Sequence, residues 1–491
     1  MKKTSNQIAL TSLLLLIFFI GISCSKKPVS GGSPIIPVVP ITPVKSDVAM
    51  WMTNANQSAL FQKQNIALDF STGNSNSNTT INVDTTITYQ SIDGFGFCLT
   101  GGSATLINSL AASQQNALLQ DLFGSDSTHI GISYLRVSIG ASDLSATDFT
   151  YDDMPSGQTD INLTNFSISP ELTDLVPVLK KIIAINPTIK ILATPWTAPV
   201  WMKINTAGNN GFTAGSLNTA YYDVYATYFV KYIQAMKAQG ITIDAVTPQN
   251  EPLNPNNNPC LVMQPAEEAN FIKNSLGPQF KTAGLTTKII IYDHNTDRTD
   301  YPLDILADPV ANPYVDGSAF HLYAGNIDAL TPVHNAYANK NIYFTEQYTA
   351  STGNFAGDLS WHITNLIVGA TKNWSRNVLE WNLATDGAYG PHTNGGCSVC
   401  QGALTIDGSN VTRNVSYYII AHASKFVRPG AVRISSPDES SLPNVAFKNT
   451  DGSKVLIVLN SSNASQSFNI QFNGKIVTST LNGGSVATYV W

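Results

Sequence analysis

The sequence predicts an α/β fold: a (β/α)8 barrel with a small antiparallel β-sandwich attached. Two observations predict it. Between residues 91 and 428, eight apolar β-branched runs are interleaved with helical patterns, as parallel barrel strands and their crossover helices require. On either side the apolar runs are short, follow period two and are parted by turn signals, as antiparallel strands do.

The barrel strand candidates are 92–99, 132–139, 188–195, 241–248, 288–293, 317–323, 341–345 and 377–382. Helical patterns fall between them at 113–123, 171–184, 219–238, 265–283, 358–372 and 412–426. The second of these puts Leu172, Leu175, Val176 and Leu179 on one face. Before the barrel, Ile81, Val83, Ile87 and Tyr89 alternate as in strands. After Pro429, runs at 431–434, 445–448, 455–459, 468–472 and 486–491 are separated by turns such as Asn449-Thr450-Asp451-Gly452. The chain thus divides into a leader at 1–24, a tether at 25–46, strands at 47–90 that join the sandwich, the barrel at 91–428 and the sandwich at 429–491.

The leader reads as an export signal. Lys2 and Lys3 precede an apolar stretch from Leu10 to Ile20 that is too short to span a bilayer. Gly21-Ile22-Ser23-Cys24 then resembles the bacterial lipoprotein signal, whose cysteine becomes the lipidated N-terminus. Lys26 to Val44, rich in Pro, Gly and Ser, extends as a tether. The expected location is the bacterial cell envelope, with the lipid in the outer membrane on its periplasmic or cell-surface side. The membrane is then a partner through that anchor.

Charged residues make up only 12% of the chain and the net charge is -6. With no basic run beyond the N-terminus, nucleic acid is excluded as a partner, and nothing indicates a protein partner. A weakly charged polar surface suits a neutral ligand such as a glycan. Cys397-Ser398-Val399-Cys400 lies in a glycine-rich loop, where a local disulfide is expected. Without a second CxxC or a His pair at ligand spacing, zinc and redox readings fall away and no metal site is expected. Cys98 and Cys260 read as buried thiols or pocket-wall residues.

In a barrel of this kind, residues that end strands face the functional side. Glu251 follows the fourth strand in Gln249-Asn250-Glu251-Pro252, and Glu346 ends the seventh in Phe344-Thr345-Glu346. A lone Glu at a strand end is commonly a helix cap or a surface charge. Two converging on one face are what a glycosidase uses, one to protonate the leaving oxygen and the other to attack or direct water. Arg136 points from the second strand into apolar surroundings and needs a carboxylate, with Glu346 the expected partner. Trp196 and Trp381, ending the third and eighth strands, are expected as flat walls for a sugar ring, whereas Trp201 reads as a core plug. His321 is expected to bond a sugar hydroxyl or to orient Glu346, a structural role being the alternative. Asn250 is placed to donate to the sugar 2-hydroxyl, and Asp143 either grips further hydroxyls or caps a helix.

Taken in order, the motifs resemble glycoside hydrolase family 30, the family of lysosomal glucosylceramidase and of bacterial and fungal β-1,6-glucanases. They are Asp93-Gly94-Phe95-Gly96, Leu135-Arg136-Val137, the run from Pro195 to Lys203, Asn250-Glu251-Pro252, His321-Leu322-Tyr323, Phe344-Thr345-Glu346 and Trp381-Asn382-Leu383. The resemblance covers nearly all of the chain after the tether. It implies a retaining mechanism with Glu251 as acid/base and Glu346 as nucleophile, and a glucose subsite lined by Asp143, Trp196, Asn250, Tyr323 and Trp381. Leu322 departs from the pattern, where the family commonly has Trp, which implies a lost wall.

The loop 390–402 resembles the β-1,6-glucanase branch and is expected to shape the cleft beyond the cleaved bond. An endo-β-1,6-glucanase is therefore the expected activity. Exo-β-glucosidase, glucosylceramidase-like and β-xylosidase activities would use the same two glutamates; a surface lipoprotein that binds glycans without chemistry would not need them. Double displacement requires no metal or organic cofactor. It does require a protonated Glu251, expected from repulsion by a carboxylate about 5 Å away.

Overall fold

The computed structural model describes residues 45–73, 76–126 and 128–491. The leader with Cys24, and the tether as far as residue 44, lie outside them. Eight parallel strands close into a barrel: β1 (Gly94–Cys98), β2 (Tyr134–Ser138), β3 (Lys190–Thr194), β4 (Ala245–Val246), β5 (Lys288–Asn295), β6 (Val315–His321), β7 (Asn341–Glu346) and β8 (Ser375–Asn382), with β8 pairing back onto β1. β4 is far shorter than the apolar run 241–248, and Pro248, with no N–H to give a ladder, bars its extension at the C-terminal end. The helix Leu175–Ile185 buries Leu175, Val176 and Leu179, but Leu172 lies in the preceding 3-10 turn and is exposed. Helices Gly101–Ser109, Asp300–Ala307 and Leu330–Ala336 complete the outer ring and were not legible as helical patterns.

Alternation along each strand stacks the barrel interior in levels. Tyr134, Leu192, Ala245, Ile290, Ala319, Tyr343 and Leu379 form an apolar plug separate from the main core. β1 contributes Gly96 there, where a Cβ would lie 1.9 Å from the Tyr134 carbonyl oxygen. Two residues further along the strands come Arg136, Thr194, Thr247, His321, Thr345 and Trp381, a polar level resting on the plug. The functional side chains therefore sit on a packed floor.

The sandwich joins residues from both ends of the described chain. One sheet runs Gln62–Lys63, Ala49–Thr53, Val486–Val490, Lys454–Leu459, Asn444–Lys448, Val432–Ser435 and Asp84–Ser91; the other runs Lys475–Leu481, Gln466–Phe472 and Thr79–Asn82. Pairing is antiparallel except between Gln466–Phe472 and Thr79–Asn82, which are parallel. Ile81, Val83, Leu456, Phe468 and Tyr489 fill the space between the sheets.

His422, in the last barrel helix Val415–Ser424, ties this module to the barrel. Its two ring nitrogens bond Thr488 Oγ1 at 2.8 Å and Thr53 Oγ1 at 2.9 Å, in full burial. Burial holds its pKa down at about 3, so the ring stays neutral. Replacing it leaves a cavity and takes one of two hydrogen bonds from each hydroxyl, Thr488 keeping the His422 carbonyl and Thr53 the N–H of Phe61. His422→Ala is expected to cost about 2–4 kcal/mol of unfolding free energy, read by chemical denaturation, whereas a loss below about 0.5 kcal/mol would show that the two modules do not depend on this contact.

Candidate active site

Glu251, Glu346, Asp143, Tyr323 and Trp381 come together around a cavity of about 580 Å³ at the C-terminal end of the barrel. One oxygen each from Glu251 and Glu346 and one His321 nitrogen lie within 4.8 Å of one another. Arg136, with no solvent contact, spans the floor: Nη1 donates to Glu346 Oε2 at 2.5 Å, and Nη2 to Asp293 Oδ2 at 2.8 Å and to Asn250 Oδ1 at 2.7 Å. Tyr323 Oη donates to the other oxygen of Glu346, Oε1, at 2.9 Å. Because Oε2 is held by a buried guanidinium, Oε1 is the oxygen that faces the cavity. Asn250 spends Oδ1 on Arg136, so its amide N–H groups remain to donate.

Asp293 was not foreseen, and it completes the floor. Its carboxylate receives Arg136, His321 Nε2 at 3.2 Å, Thr345 Oγ1 at 2.6 Å and Thr247 Oγ1 at 2.9 Å. Regular alternation after Ile290 would place Tyr292 inside the barrel. Instead the pairing with β6 shifts between Tyr292 and His294, and Tyr292 and Asp293 adopt φ of 76° and 58°. This bulge turns Tyr292 outward against Tyr301 and Phe320 and brings Asp293 inward. The N–H of Tyr292, freed from the ladder, donates to Glu268 Oε1 at 3.2 Å, and the carbonyl of Asp293 accepts the N–H of Glu251 at 3.0 Å. A carboxylate closing an apolar strand was the signal available in the sequence.

Two expectations are corrected by the geometry. His321 does not reach for a sugar hydroxyl: Nδ1 faces Glu251 Oε1 at 3.1 Å and Nε2 faces Asp293, so both nitrogens are taken. Trp196 is no wall of the cavity. It is 1% exposed, packed behind Trp381 at 5.3 Å between ring centres, with the Arg136 guanidinium 4.8 Å from its ring centre. Trp381 lines the cavity, as does Tyr348, whose ring lies 5.3 Å from that of Tyr323. Leu322 packs into the barrel core and does not line the cavity. Trp201 is half-buried and donates Nε1–H to the Asp152 carbonyl.

Asp143 caps no helix. Its Oδ2 accepts the N–H of Cys397 at 3.3 Å, and Oδ1 is buried without a partner among the described residues. Cys397 and Cys400 form a disulfide, and their loop lies so close to Asp143 that a Cβ at Gly396 would meet the Asp143 carbonyl oxygen at 2.2 Å. The same loop reaches the loop after β4, where Asn394 O accepts from Asn258 Nδ2 at 3.0 Å. It therefore spans both sides of the cavity rather than only the region beyond the cleaved bond. Cys98 and Cys260 are buried free thiols.

Charge is distributed unevenly over the two glutamates. Burial pushes both carboxyls up. For Glu251 the His321 imidazolium and the amide of Asn254 (2.8 Å from Oε2) outweigh burial and hold it down at about 2. The expectation of a raised Glu251 is therefore overturned, because an imidazolium stands beside it. Glu346 stays raised, since burial and the Glu251 charge exceed the pull of His321 and Arg136. Burial likewise raises Asp143 to about 7, helped by the charge of Glu346. Glu251, His321 and Glu346 are close enough to ligate a cation, but Arg136 and His321 already supply the positive charge there.

Two carboxylates this close, on the C-terminal rim of a (β/α)8 barrel, have the spacing of a retaining glycoside hydrolase, not that of an inverting one, which leaves about 6.5–9.5 Å for a water. The chain belongs to glycoside hydrolase family 30: residues 92–427 match the family's TIM-barrel domain and residues 430–489 its β-sandwich domain. It is 38% identical over 393 residues to endo-1,6-beta-D-glucanase BGN16.3 of Trichoderma harzianum, a match covering 76% of this chain and 78% of that one. With lysosomal acid glucosylceramidase of Mus musculus it shares 28% identity over 432 residues, covering 82% and 81%. Among solved structures it is similar to the endo-beta1,6-glucanase BT3312, with a TM-score of 0.84 and 37% identity over 91% of this chain and 99% of that one.

The position of His321 predicts a pH dependence of stability. Burial alone would lower its pKa, but the charge of Glu346 and the hydrogen bonds to Asp293 and Glu251 raise it from 6.5 to about 9. A raised folded-state pKa gives stability that is complete below pH 6.5 and lost as pH rises through about 9. Between those values the unfolding free energy of the unaltered protein is expected to fall, relative to that of His321→Gln, by up to ~1.4 kcal/mol per pH unit. Parallel curves in urea titrations of the two proteins would remove the imidazolium from the network.

Proposed function

We propose that this chain is an endo-acting retaining β-1,6-glucanase with Glu346 as nucleophile and Glu251 as acid/base. The observation that carries the mechanism is the pair of carboxylates within 4.8 Å across the cavity. The substrate rests on the likeness to proteins named endo-1,6-glucanases at 37–38% identity, against 28% for the mouse glucosylceramidase. In the first step Glu346 Oε1 bonds the anomeric carbon, the glycosidic C–O bond breaks, and Glu251 gives its proton to the leaving oxygen. In the second, a water oxygen bonds the anomeric carbon and gives a proton to Glu251 as the C–Oε1 bond breaks, and the configuration is retained. Asn250, its amide set by Arg136, donates to the 2-hydroxyl, Asp143 accepts from hydroxyls deeper in the cavity, and Trp381 meets the ring face.

His321 decides which form Glu251 takes. Ionised Glu251 beside a protonated His321 holds the same number of protons as protonated Glu251 beside a neutral one, the proton having crossed the 3.1 Å contact. The second arrangement is the acid for the first step. That step takes one proton from the pair, leaving ionised Glu251 beside a neutral His321 as the base, and the second step returns a proton from water, so the pair's charge is restored after each turnover.

Glu346→Gln is expected to lower turnover at least about 10³-fold with the fold intact, and retained activity would remove Glu346 as nucleophile. Glu251→Ala should slow glucan cleavage far more than release of a dinitrophenyl leaving group, which needs no proton; equal losses would count against the acid/base role. Digestion of linear β-1,6-glucan, followed by product size and by anomeric NMR, is expected to give early short oligosaccharides of β-configuration. Glucose as sole product would move the assignment to an exo-glucosidase.

We also propose export and lipidation at Cys24, with the catalytic module held off the bacterial outer membrane by the Pro/Gly/Ser tether. Support comes from the leader pattern alone; no helix among the described residues is long and apolar enough to cross a membrane. Cys24→Ala is expected to move the protein from the detergent phase to the aqueous phase in Triton X-114 partitioning, and no change would exclude the anchor.

A further inference from the structure

The chemistry above leaves one ring on the cavity wall unassigned. His294 follows the bulged Asp293 and lines the cavity. Its Nδ1 is buried and has no hydrogen-bond partner among the described residues. Burial lowers its pKa below the ordinary histidine value, so the ring is neutral and offers one donor and one acceptor. The ring is also held in place, with Tyr292 tilted against it at 5.8 Å and His321 edge-on at 6.4 Å between centres. A positioned polar ring without a protein partner, on the wall of a substrate cavity, is suited to a ligand hydroxyl.

Its place along the cavity tells which hydroxyl. The carbonyl of Asp293, the residue before His294, accepts the N–H of Glu251 at 3.0 Å, which sets His294 beside the acid/base, whereas Asp143 lies against the Cys397 loop. The acid/base carboxyl touches the leaving oxygen, so the wall beside Glu251 meets the sugar that departs. Of the amides on this wall, Asn254 is engaged at both ends, Nδ2 donating to Glu251 Oε2 and Oδ1 accepting the N–H of Asn256, and Asn295 Oδ1 accepts the N–H of Tyr323. We infer that His294 is a specificity-determining residue of the leaving-group subsite, hydrogen-bonding a hydroxyl of the glycosyl unit released in the first step and of any sugar that replaces water as acceptor in the second. This rests on the glycosidase reading but not on the β-1,6 linkage.

The test compares a β-1,6-linked glucotetraose with an aryl glycoside carrying the same donor sugars, because a nitrophenyl group at the leaving position offers no hydroxyl. For His294→Phe, kcat/KM on the tetraose is expected to fall about 10–100-fold, and the loss on the aryl glycoside to be at least tenfold smaller. The ratio of transfer to hydrolysis with gentiobiose as added acceptor should fall in parallel. That ratio is independent of the amount of folded enzyme, so partial misfolding cannot imitate it. His294→Gln, which keeps a donor and an acceptor, should recover part of the loss. Equal losses on both substrates with an unchanged transfer ratio, or no loss on either, would overturn the assignment. Failure of the unaltered enzyme to cut any β-1,6 bond would instead refute the substrate reading; the same comparison on the linkage it does cut would still decide the role of His294.

Discussion

A guanidinium with no access to water constrains the rest of this active site. Arg136 is held on the apolar plug of the barrel, and an unpaired charge there would cost several kcal/mol. Three side chains answer it at once: Asp293, Glu346 and the Asn250 carbonyl oxygen. Each is thereby fixed in orientation, and the orientation is what the chemistry needs. Glu346 is left with Oε1, which Tyr323 holds, toward the cavity, and Asn250 with its donors. Burial and the Arg136 charge oppose each other at Asp293, but the guanidinium and His321 win and hold that carboxyl well below the usual range. Asp293 is therefore a permanent anion, which fixes His321 by its other nitrogen.

Satisfying that network bends the backbone away from regular strand geometry. Tyr292, Asp293 and Glu251 all carry positive φ, at about 1–3 kcal/mol each for residues other than glycine. The strain is offset locally, since the displaced N–H of Tyr292 finds Glu268 and the N–H of Glu251 finds the Asp293 carbonyl. A second shift, between β6 and β7, pairs His321 with Glu346 and lets Thr345 and Glu346 both turn to the site. Where side-chain alternation holds through the glutamate the outcome differs. In β8, Leu379 and Trp381 face inward, while Glu380 faces the helices and meets His362 at 2.7 Å. A glutamate at a strand end is thus functional or structural according to a shift of one residue.

That parity explains what could be read from the chain. The barrel was legible because its alternation is long and its strands are apolar on both faces, and Glu251, Glu346 and Arg136 were legible from strand-end position and burial. Asp293 was not, since Ile289 to Asp293 reads as one unbroken strand and a bulge leaves no period to count. His321 was placed in the site with Glu346, which its Nδ1 meets at 3.8 Å, but its two hydrogen-bond partners, Glu251 and Asp293, were not foreseen, because they come from strands distant in sequence. In the sandwich, Lys475–Leu481 escaped notice because one of its inward positions is Ser479, which bonds the Tyr489 hydroxyl and breaks the apolar alternation. Helix Gly101–Ser109 opens on two glycines, the poorest helix formers after proline, and depends on the Thr100 side chain capping Ser103.

The remaining question is why two cations face three carboxylates. With Arg136 and His321 protonated and Asp293, Glu251 and Glu346 ionised, the inner site carries one net negative charge; moving the His321 proton onto Glu251 leaves that sum unchanged. Glycoside cleavage builds about one positive charge on the sugar ring in an oxocarbenium-like transition state. Charge is conserved through that step: the proton Glu251 gives to the leaving oxygen balances the charge that appears on the ring, so the site grows more negative as the ring becomes cationic. An anionic floor therefore attracts the developing ring charge more strongly than it attracts a neutral sugar. An additional cation in place of Thr194 or Thr345 would weaken that attraction, while loss of Arg136 would remove the charge that pulls the Glu346 and Asp293 carboxyls down. The polar level of the barrel thus favours the transition state over the ground state, which is where binding energy accelerates a reaction.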